Sequence, residues 1–247
     1  MVELGRIDII TEVYMLASQL ALTQEGHIET IFHIFGYLKG HHNAWMVFNQ
    51  TYPTTDMSMF RDHDWCDFYG DVKEDITPNT PETRGKEVDL RIFVDSFHGG
   101  DKLTRQPITG YIIFLKNAPI ACYSKKQATI ETSVFGAEFV VMKIGMETLR
   151  GLQYKLRMMV FPISVPSLIY GGNMSVIHNT QQPESTMKKN SNSICCHSLR
   201  ESVEMKESMT GNVPSVGNPA DICKKVVPGG AKRNHLIGKV LHDLNEQ

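Results

Sequence analysis

Val88-Asp89-Leu90-Arg91-Ile92-Phe93-Val94-Asp95 sets the reading of this chain. Val88, Leu90, Ile92 and Val94 share one parity, while Asp89, Arg91, Phe93 and Asp95 share the other. That period of two is the signature of a half-buried strand. Asp95 therefore faces away from the main apolar row, toward a site at the strand's end.

Moving outward, Tyr111 to Lys126 reads as a β-hairpin turning at Asn117-Ala118-Pro119. Residues 132 to 159 then run without Pro, with Thr132 and Ser133 as candidate caps and apolar residues at Val134, Phe135, Val141, Ile144 and Leu149. One long helix there carries Glu138 over the sheet to Asp95. Ser167-Leu168-Ile169-Tyr170 is a short strand that meets Gly171-Gly172-Asn173 and passes into a helix near Ser175. Such a junction lies at the carboxyl end of a strand, where open α/β sheets bind ligands. Further helices are expected from Ser193, at Asp221 and at Leu236, with a short strand near Met209. Asn218-Pro219-Ala220-Asp221 is a helix start, with Asn218 as N-cap and Pro219 at the first helical position. A carboxylate at Asp221 is favoured there by the helix dipole, by about 0.3 to 1 kcal/mol, whether or not it has another role.

Three strands followed by alternating helix and strand predict an α/β fold, a mixed five-stranded sheet with flanking helices. The 247 residues, 41% of them hydrophobic, suffice for one full core and an appendage. The expected organisation is a small helical segment over 1–50, with helices around Ile10 to Leu22 and His27 to Leu38. A linker follows over 51–86, and the sheet domain spans 87–245. The linker carries Pro53, Pro78 and Pro81 with many acids, and reads as solvated with at most one strand, near Thr55 to Phe60.

Ordered motifs across roughly residues 85 to 240 resemble one family. They are Phe93-Val94-Asp95-Ser96, Thr104-Arg105, Thr109-Gly110-Tyr111, Ala118-Pro119-Ile120, Tyr123-Ser124-Lys125-Lys126-Gln127, Glu131-Thr132-Ser133 and Ala137-Glu138-Phe139. They continue through Asn173-Met174-Ser175-Val176, Pro183-Glu184-Ser185-Thr186, His197, Arg200-Glu201 and Pro219-Ala220-Asp221. Together they resemble the ribonuclease H domain of copia-type retrotransposon polyproteins. Gly5-Arg6-Ile7-Asp8-Ile9 and His33-Ile34-Phe35-Gly36-Tyr37-Leu38-Lys39 resemble the tail of the reverse transcriptase, its thumb or connection, although no Tyr-x-Asp-Asp sequence occurs.

The resemblance implies a ribonuclease H-like fold and two-metal hydrolysis of the RNA strand of an RNA-DNA hybrid. Asp95, Glu138 and Asp221 would be the catalytic and metal-binding acids. Arg105, Thr109, Asn173, Ser175 and His197 would contact nucleic acid, and the polymerase part of the same polyprotein would be a partner. Two Mg²⁺ (or Mn²⁺) ions about 4 Å apart require hard oxygen ligands. The family reads Asp-Asn where this chain has Gly172-Asn173, so Gly172 marks a missing ligand that a neutral amide at Asn173 replaces poorly. Cys196 before His197, and Cys223-Lys224 where the family tends to carry Thr at the second position, are further departures.

Composition narrows the alternatives. A net charge of -2 with a pI near 6.5 opposes indiscriminate nucleic-acid binding. Contacts must come from separate pairs: Lys125-Lys126, Lys188-Lys189, Lys224-Lys225 and Lys232-Arg233. Cys195-Cys196-His197 and Cys223 lack the C-x₂-C spacing and second pair of a zinc site. The acids of 51–86 lack the glycine and twelfth-position glutamate of a calcium loop. Five cysteines without framework spacing fit a reducing compartment, no apolar run reaches membrane length, and the amino terminus lacks a secretory pattern. The cytoplasm or nucleus is the expected location, with a virus-like particle in an active element.

Two readings follow. The chain is a ribonuclease H-like domain weakened or inactivated by Gly172, or it is a non-catalytic retroelement remnant acting at most as a nucleic-acid or protein binding module.

Overall fold

The structure is a computed structural model and describes residues 5–61, 63–101, 104–182 and 190–243. In chain order its elements are α1 (Ile10–Ala17), α2 (Glu25–Gly40), β1 (Ala44–Trp45), α3 (Cys66–Tyr69), β2 (Val88–Phe97), β3 (Ile108–Leu115), β4 (Ala118–Lys126) and α4 (Val134–Met158). They continue with β5 (Ile163–Gly171), α5 (Met174–Gln181), α6 (Asn190–Glu204), β6 (Ser208–Asn212), α7 (Asp221–Lys224), α8 (Ala231–Ile237) and β7 (His242–Asp243).

The main sheet has the order β4-β3-β2-β5-β6. Strands β2, β3 and β4 run antiparallel, while β5 is parallel to β2 and β6 is parallel to β5. This is the mixed five-stranded sheet with flanking helices that the order of strand and helix signals predicts. Its alternation is physical. Leu90, Ile92 and Val94 are fully buried with Phe139, Met142, Met146 and Leu149 of α4, and Ile169 of β5 joins them. Ile112, Phe114 and Phe93 face the other way, against Ile7, Ile10, Ile222, Leu236 and Val240. Every residue of β3 from Ile108 to Phe114 is buried, as expected of a strand covered on both faces.

The long helix starts where its caps predict. The Ser133 hydroxyl accepts from Gly136 N at 3.2 Å, and Lys155 and Arg157 occupy the last turn, where cations favour the helix dipole. Val134, counted among the apolar pattern, is exposed at the amino end; Phe139, Met142 and Met146 extend the buried stripe instead.

Two segments are tied more tightly than their composition suggests. Helix α1 docks on the second face, where the Thr11 hydroxyl donates to Ile222 O at 2.7 Å and Arg233 pairs with Glu12 at 3.2 Å. β1 pairs antiparallel with β7, bringing residues 44–45 against the chain's carboxyl end. Helix α2, in contrast, has no buried residue. The 51–86 segment, expected to be a solvated linker, has Trp65 completely buried with the Arg200 guanidinium 4.4 Å above its ring. Trp65 N donates to Glu204 Oε2 at 2.7 Å, Phe60 packs edge-on to Tyr170, and Glu74 pairs with Arg157. Instead of a strand near residues 55–60 there is a 3-10 turn at Met57–Met59 and a single bridge between Phe60 and Gly211. Two aromatic side chains outweigh the polar majority, because burying one such ring contributes about 1.5 to 3 kcal/mol.

One close approach sets the position of α7. A Cβ at Gly110 would lie 2.8 Å from both Cys223 C and Lys224 N. Only a residue without a side chain lets α7 rest on β3 there, opposite Asp95 in the β2–β3 register. We predict that Gly110→Ala lowers the urea midpoint of unfolding by an amount worth about 1 to 3 kcal/mol, the usual cost of forced overpacking. A loss well below this would show that α7 can shift freely.

Candidate functional site

The three acids singled out in the sequence meet at the carboxyl end of β2. Asp95 comes from β2, Glu138 from the second turn of α4 and Asp221 from the start of α7, and each is 5% exposed or less. Ser96 N donates to Asp95 Oδ1 at 2.9 Å and to Glu138 Oε1 at 3.3 Å, so one amide holds two carboxyl groups. Asn218 fastens the approach to α7. Its Nδ2 donates to Val94 O at 3.0 Å, and its Oδ1 accepts from Ala220 N at 3.0 Å. The helix starts two residues later than expected: Asp221 is its first residue and Ala220 its N-cap, while Asn218 and Pro219 form the turn before it, closed by the Asn218 bond to Ala220 N.

Lysines complete the cluster. Lys224 Nζ lies 2.6 Å from Asp95 Oδ2 and 3.2 Å from Asp221 Oδ1, and its side chain is largely buried. Lys232 Nζ contacts Asp221 Oδ2 at 2.5 Å, and Lys225 Nζ approaches Asp221 Oδ1 at 3.4 Å. Helical spacing explains two of these contacts, since Lys224 and Lys225 follow Asp221 by three and four residues. Lys232 arrives from α8, which no local pattern announces.

The charge states follow from these neighbours. Burial pushes the Glu138 carboxyl up to about 8, aided by the Asp95 charge and opposed by Lys224. Its Oε2 is buried without a hydrogen-bond partner among the described residues, as suits a carboxyl that keeps its proton. Burial also raises Asp95, with Lys224 pulling the other way. For Asp221 burial is outweighed by Lys232, Lys224 and Lys225, which hold it below the usual carboxylate range. Burial disfavours the Lys224 ammonium, but Asp95, Asp221 and Glu138 together raise it.

Divalent metal does not fit this donor set. The ammonium of Lys224 stands between two of the three acids, and the third is poised to be neutral. Among the described residues no group of three or more His, Cys, Asp or Glu side chains is arranged to hold a metal ion. Gly172, just after β5, adds no acid, although the backbone there admits a Cβ. A Cβ there would meet only Asn218 Nδ2, at 3.9 Å, an ordinary contact.

Of the residues expected to contact nucleic acid, Thr109 is interior and the others lie at the start of α5, on α6 and in the turn before β3. Thr109 is 1% exposed and accepts from Gln127 Nε2 at 3.1 Å, so it belongs to the interior of β3. Asn173 caps α5, its Oδ1 accepting from Ser175 N at 3.0 Å and Val176 N at 3.3 Å. Ser175 is exposed in that first turn. His197 is exposed on α6, with its Nδ1 2.5 Å from the Tyr69 hydroxyl. Arg105 is exposed in the turn before β3, at φ 60°. Arg200, of the Arg200-Glu201 motif, is buried. It donates to Asn179 O and Gln182 O at the end of α5 while it covers Trp65. The motif Pro183-Glu184-Ser185-Thr186 and the pair Lys188-Lys189 lie outside the described residues.

The basic pairs are similarly committed. Lys126 binds Asp101 at 2.8 Å, Lys224, Lys225 and Lys232 bind Asp221, and Arg233 binds Glu12. Lys125 is exposed. Sequence reasoning took Lys224-Lys225 for a surface patch. The signal that places them otherwise is their spacing from Asp221 on a helix start.

Comparison with known proteins gives similarity of chain path. Neither a family model nor a curated protein sequence matches the chain. Among solved structures, RNase H1 from the halophilic archaeon Halobacterium salinarum is 11% identical, with 55% of this chain and 93% of that one covered at a TM-score of 0.42. The amino-terminal RNase H domain of a Mycobacterium tuberculosis protein is 11% identical, covering 62% and 96% at 0.41. An RNase H1 isolated from compost, in complex with an RNA/DNA hybrid, is 14% identical, covering 55% and 93% at 0.44. At such values a likeness carries no chemistry. The fold class, a mixed five-stranded α/β sheet with flanking helices, stands on the sheet order β4-β3-β2-β5-β6 and its strand directions.

The carboxyl of Glu138 makes stability depend on pH. Its folded value of about 8 lies above the ordinary 4.5, so the folded state keeps a proton that the unfolded state releases. Stability is full below the lower value and falls as pH rises toward the upper one, by up to about 1.4 kcal/mol per pH unit. We predict that Glu138→Gln flattens this slope and makes the protein more stable than its parent at pH 9, as read from urea unfolding at several pH values. An unchanged slope would show that Glu138 ionises freely.

Proposed function

We propose that the chain is the ribonuclease H-like domain of a copia-type retroelement, whose substrate by descent is the RNA strand of an RNA-DNA hybrid, and that it does not cleave this substrate as it stands. The observation that carries this reading is the meeting of Asp95, Glu138 and Asp221 at the end of β2, with Gly172, where a Cβ would meet only Asn218 Nδ2, following the neighbouring strand. The ordered motifs from Phe93 to Asp221 support the copia assignment, and the amino-terminal segment, docked on the sheet's second face through Ile7, Ile10 and α1, fits the tail of the polymerase part of the same polyprotein. Hydrolysis by this class of site depends on Mg²⁺ or Mn²⁺, which the present donor set does not accommodate. Location in the cytoplasm or nucleus belongs to the same proposal. Among the described residues no helix is long and apolar enough to cross a membrane.

A second reading, a non-catalytic remnant, draws support from the surface. Of the basic pairs that the sequence offered for phosphate contacts, Lys126, Lys224, Lys225, Lys232 and Arg233 are bonded to acids of the same chain. Positive charge spent internally contributes little to polyanion binding.

Cleavage of a labelled RNA-DNA hybrid in Mg²⁺ and in Mn²⁺ separates the readings. The parent is expected to match an Asp95→Asn blank. Gly172→Asp combined with Lys224→Gln is expected to cut the RNA strand, and adding Asp95→Asn to it to abolish the cut. Cleavage by the parent that Asp95→Asn removes would show that three acids suffice. Silence of the combined variant, folded as judged by circular dichroism, would leave only the remnant.

A further inference from the structure

Resting on the reading of Asp95, Glu138 and Asp221 as a former metal-binding set, we propose that Lys224 is a built-in counter-cation that holds the acid cluster closed in place of a divalent ion. Its ammonium is the one cation that contacts acids from two different elements, Asp95 of β2 and Asp221 of α7, among the ion pairs of the described residues. A divalent ion bound by the same carboxylates would bridge the same two elements. The side chain is 12% exposed, so the contact is shielded from the solvent that weakens surface pairs.

The placement is imposed by packing. The backbone between Cys223 and Lys224 rests on Gly110, directly across the sheet from Asp95, and Cys223 is wholly buried beneath it. With that backbone pinned, Lys224 is directed into the end of β2. Lys232 and Lys225 are different in kind. Each touches Asp221 alone, from the solvent side, with side chains 42% and 38% exposed. They can leave without opening the cluster, whereas Lys224 cannot be replaced by water without leaving Asp95 buried and uncompensated. Lys224 is therefore a positioning residue that makes the fold independent of metal and blocks metal entry. Restoring the acid at Gly172 alone would leave the ammonium in place, so two changes separate this chain from a metal-binding one.

The test is Mn²⁺ binding by the full chain, followed by electron paramagnetic resonance of free Mn²⁺ and by the thermal midpoint with Mn²⁺ or with a chelator. The parent is expected to show no saturable Mn²⁺ binding and the same midpoint in both buffers. Lys224→Gln is expected to have a lower midpoint with chelator and to regain part of it with Mn²⁺, as a ligand specific for the folded state must produce. Gly172→Asp added to Lys224→Gln should tighten Mn²⁺ binding at least roughly tenfold, because one more carboxylate joins the donors. Lys225→Gln should behave as the parent.

Saturable Mn²⁺ binding by the parent, lost in Asp95→Asn, would overturn the proposal. So would Lys224→Gln with the parent's midpoint and no Mn²⁺ response. Should Lys224→Gln fail to fold with chelator, its refolding on addition of Mn²⁺ supports the proposal and failure to refold with either overturns it. The readout is independent of hybrid cleavage. A Lys224→Gln, Gly172→Asp variant that binds Mn²⁺ but leaves the hybrid intact supports the counter-cation while overturning the reading of a cleavage site that one acid restores and leaving the non-catalytic remnant.

Discussion

Carboxyl groups buried at the end of one strand cannot all stay charged unless cations or protons accompany them, and much of this structure is arranged around that constraint. Two of the acids, Asp95 and Asp221, share the ammonium of Lys224, while Glu138 lies where a neutral carboxyl is favoured. Removing one partner from a buried pair of this kind typically costs about 3 to 5 kcal/mol, far more than an exposed pair is worth. The cluster is thus a structural joint between the sheet and its second layer as well as a candidate site.

That joint depends on packing well away from the acids. The second face of the sheet is covered by α1, α7 and α8, and the contact of α7 with β3 is close because Gly110 has no side chain. Thr11 and Glu12 of α1 hold Ile222 and Arg233 from the outside. The amino-terminal helix therefore helps to seat the segment that carries Asp221 and Lys224. On the first face, α4 lays its buried stripe across Leu90, Ile92 and Val94 and brings Glu138 to the same strand end. Acids from three elements converge because both layers meet where β2 ends.

The same economy governs the basic pairs among the described residues. Of these described residues, all but Lys125 are bonded to acids of the same chain. A net charge of -2 leaves little excess for a polyanion. Arg105 and Lys125 are exposed cations among the described residues.

Local periodicity determined the elements. The alternation from Val88 to Asp95, the uninterrupted helix over 132–159 with its Ser133 cap and the hairpin around Asn117 appear where the residues predict them, and with them the parity of Asp95, whereas the helix expected from Pro219 begins only at Asp221. These signals involve neighbours a few residues apart, so the sequence displays them directly. Tertiary structure decided which side chains remained available. Lys224 and Lys232 neutralise Asp221, Asn173 caps a helix, Thr109 is interior, and Arg200 shields Trp65 from water. Each of these depends on groups brought together by the stacking of layers on a sheet, or on competition between a surface role and a buried partner. Neither is periodic, and a lysine in the sequence reads the same whether it meets solvent or the acid that lies across the fold.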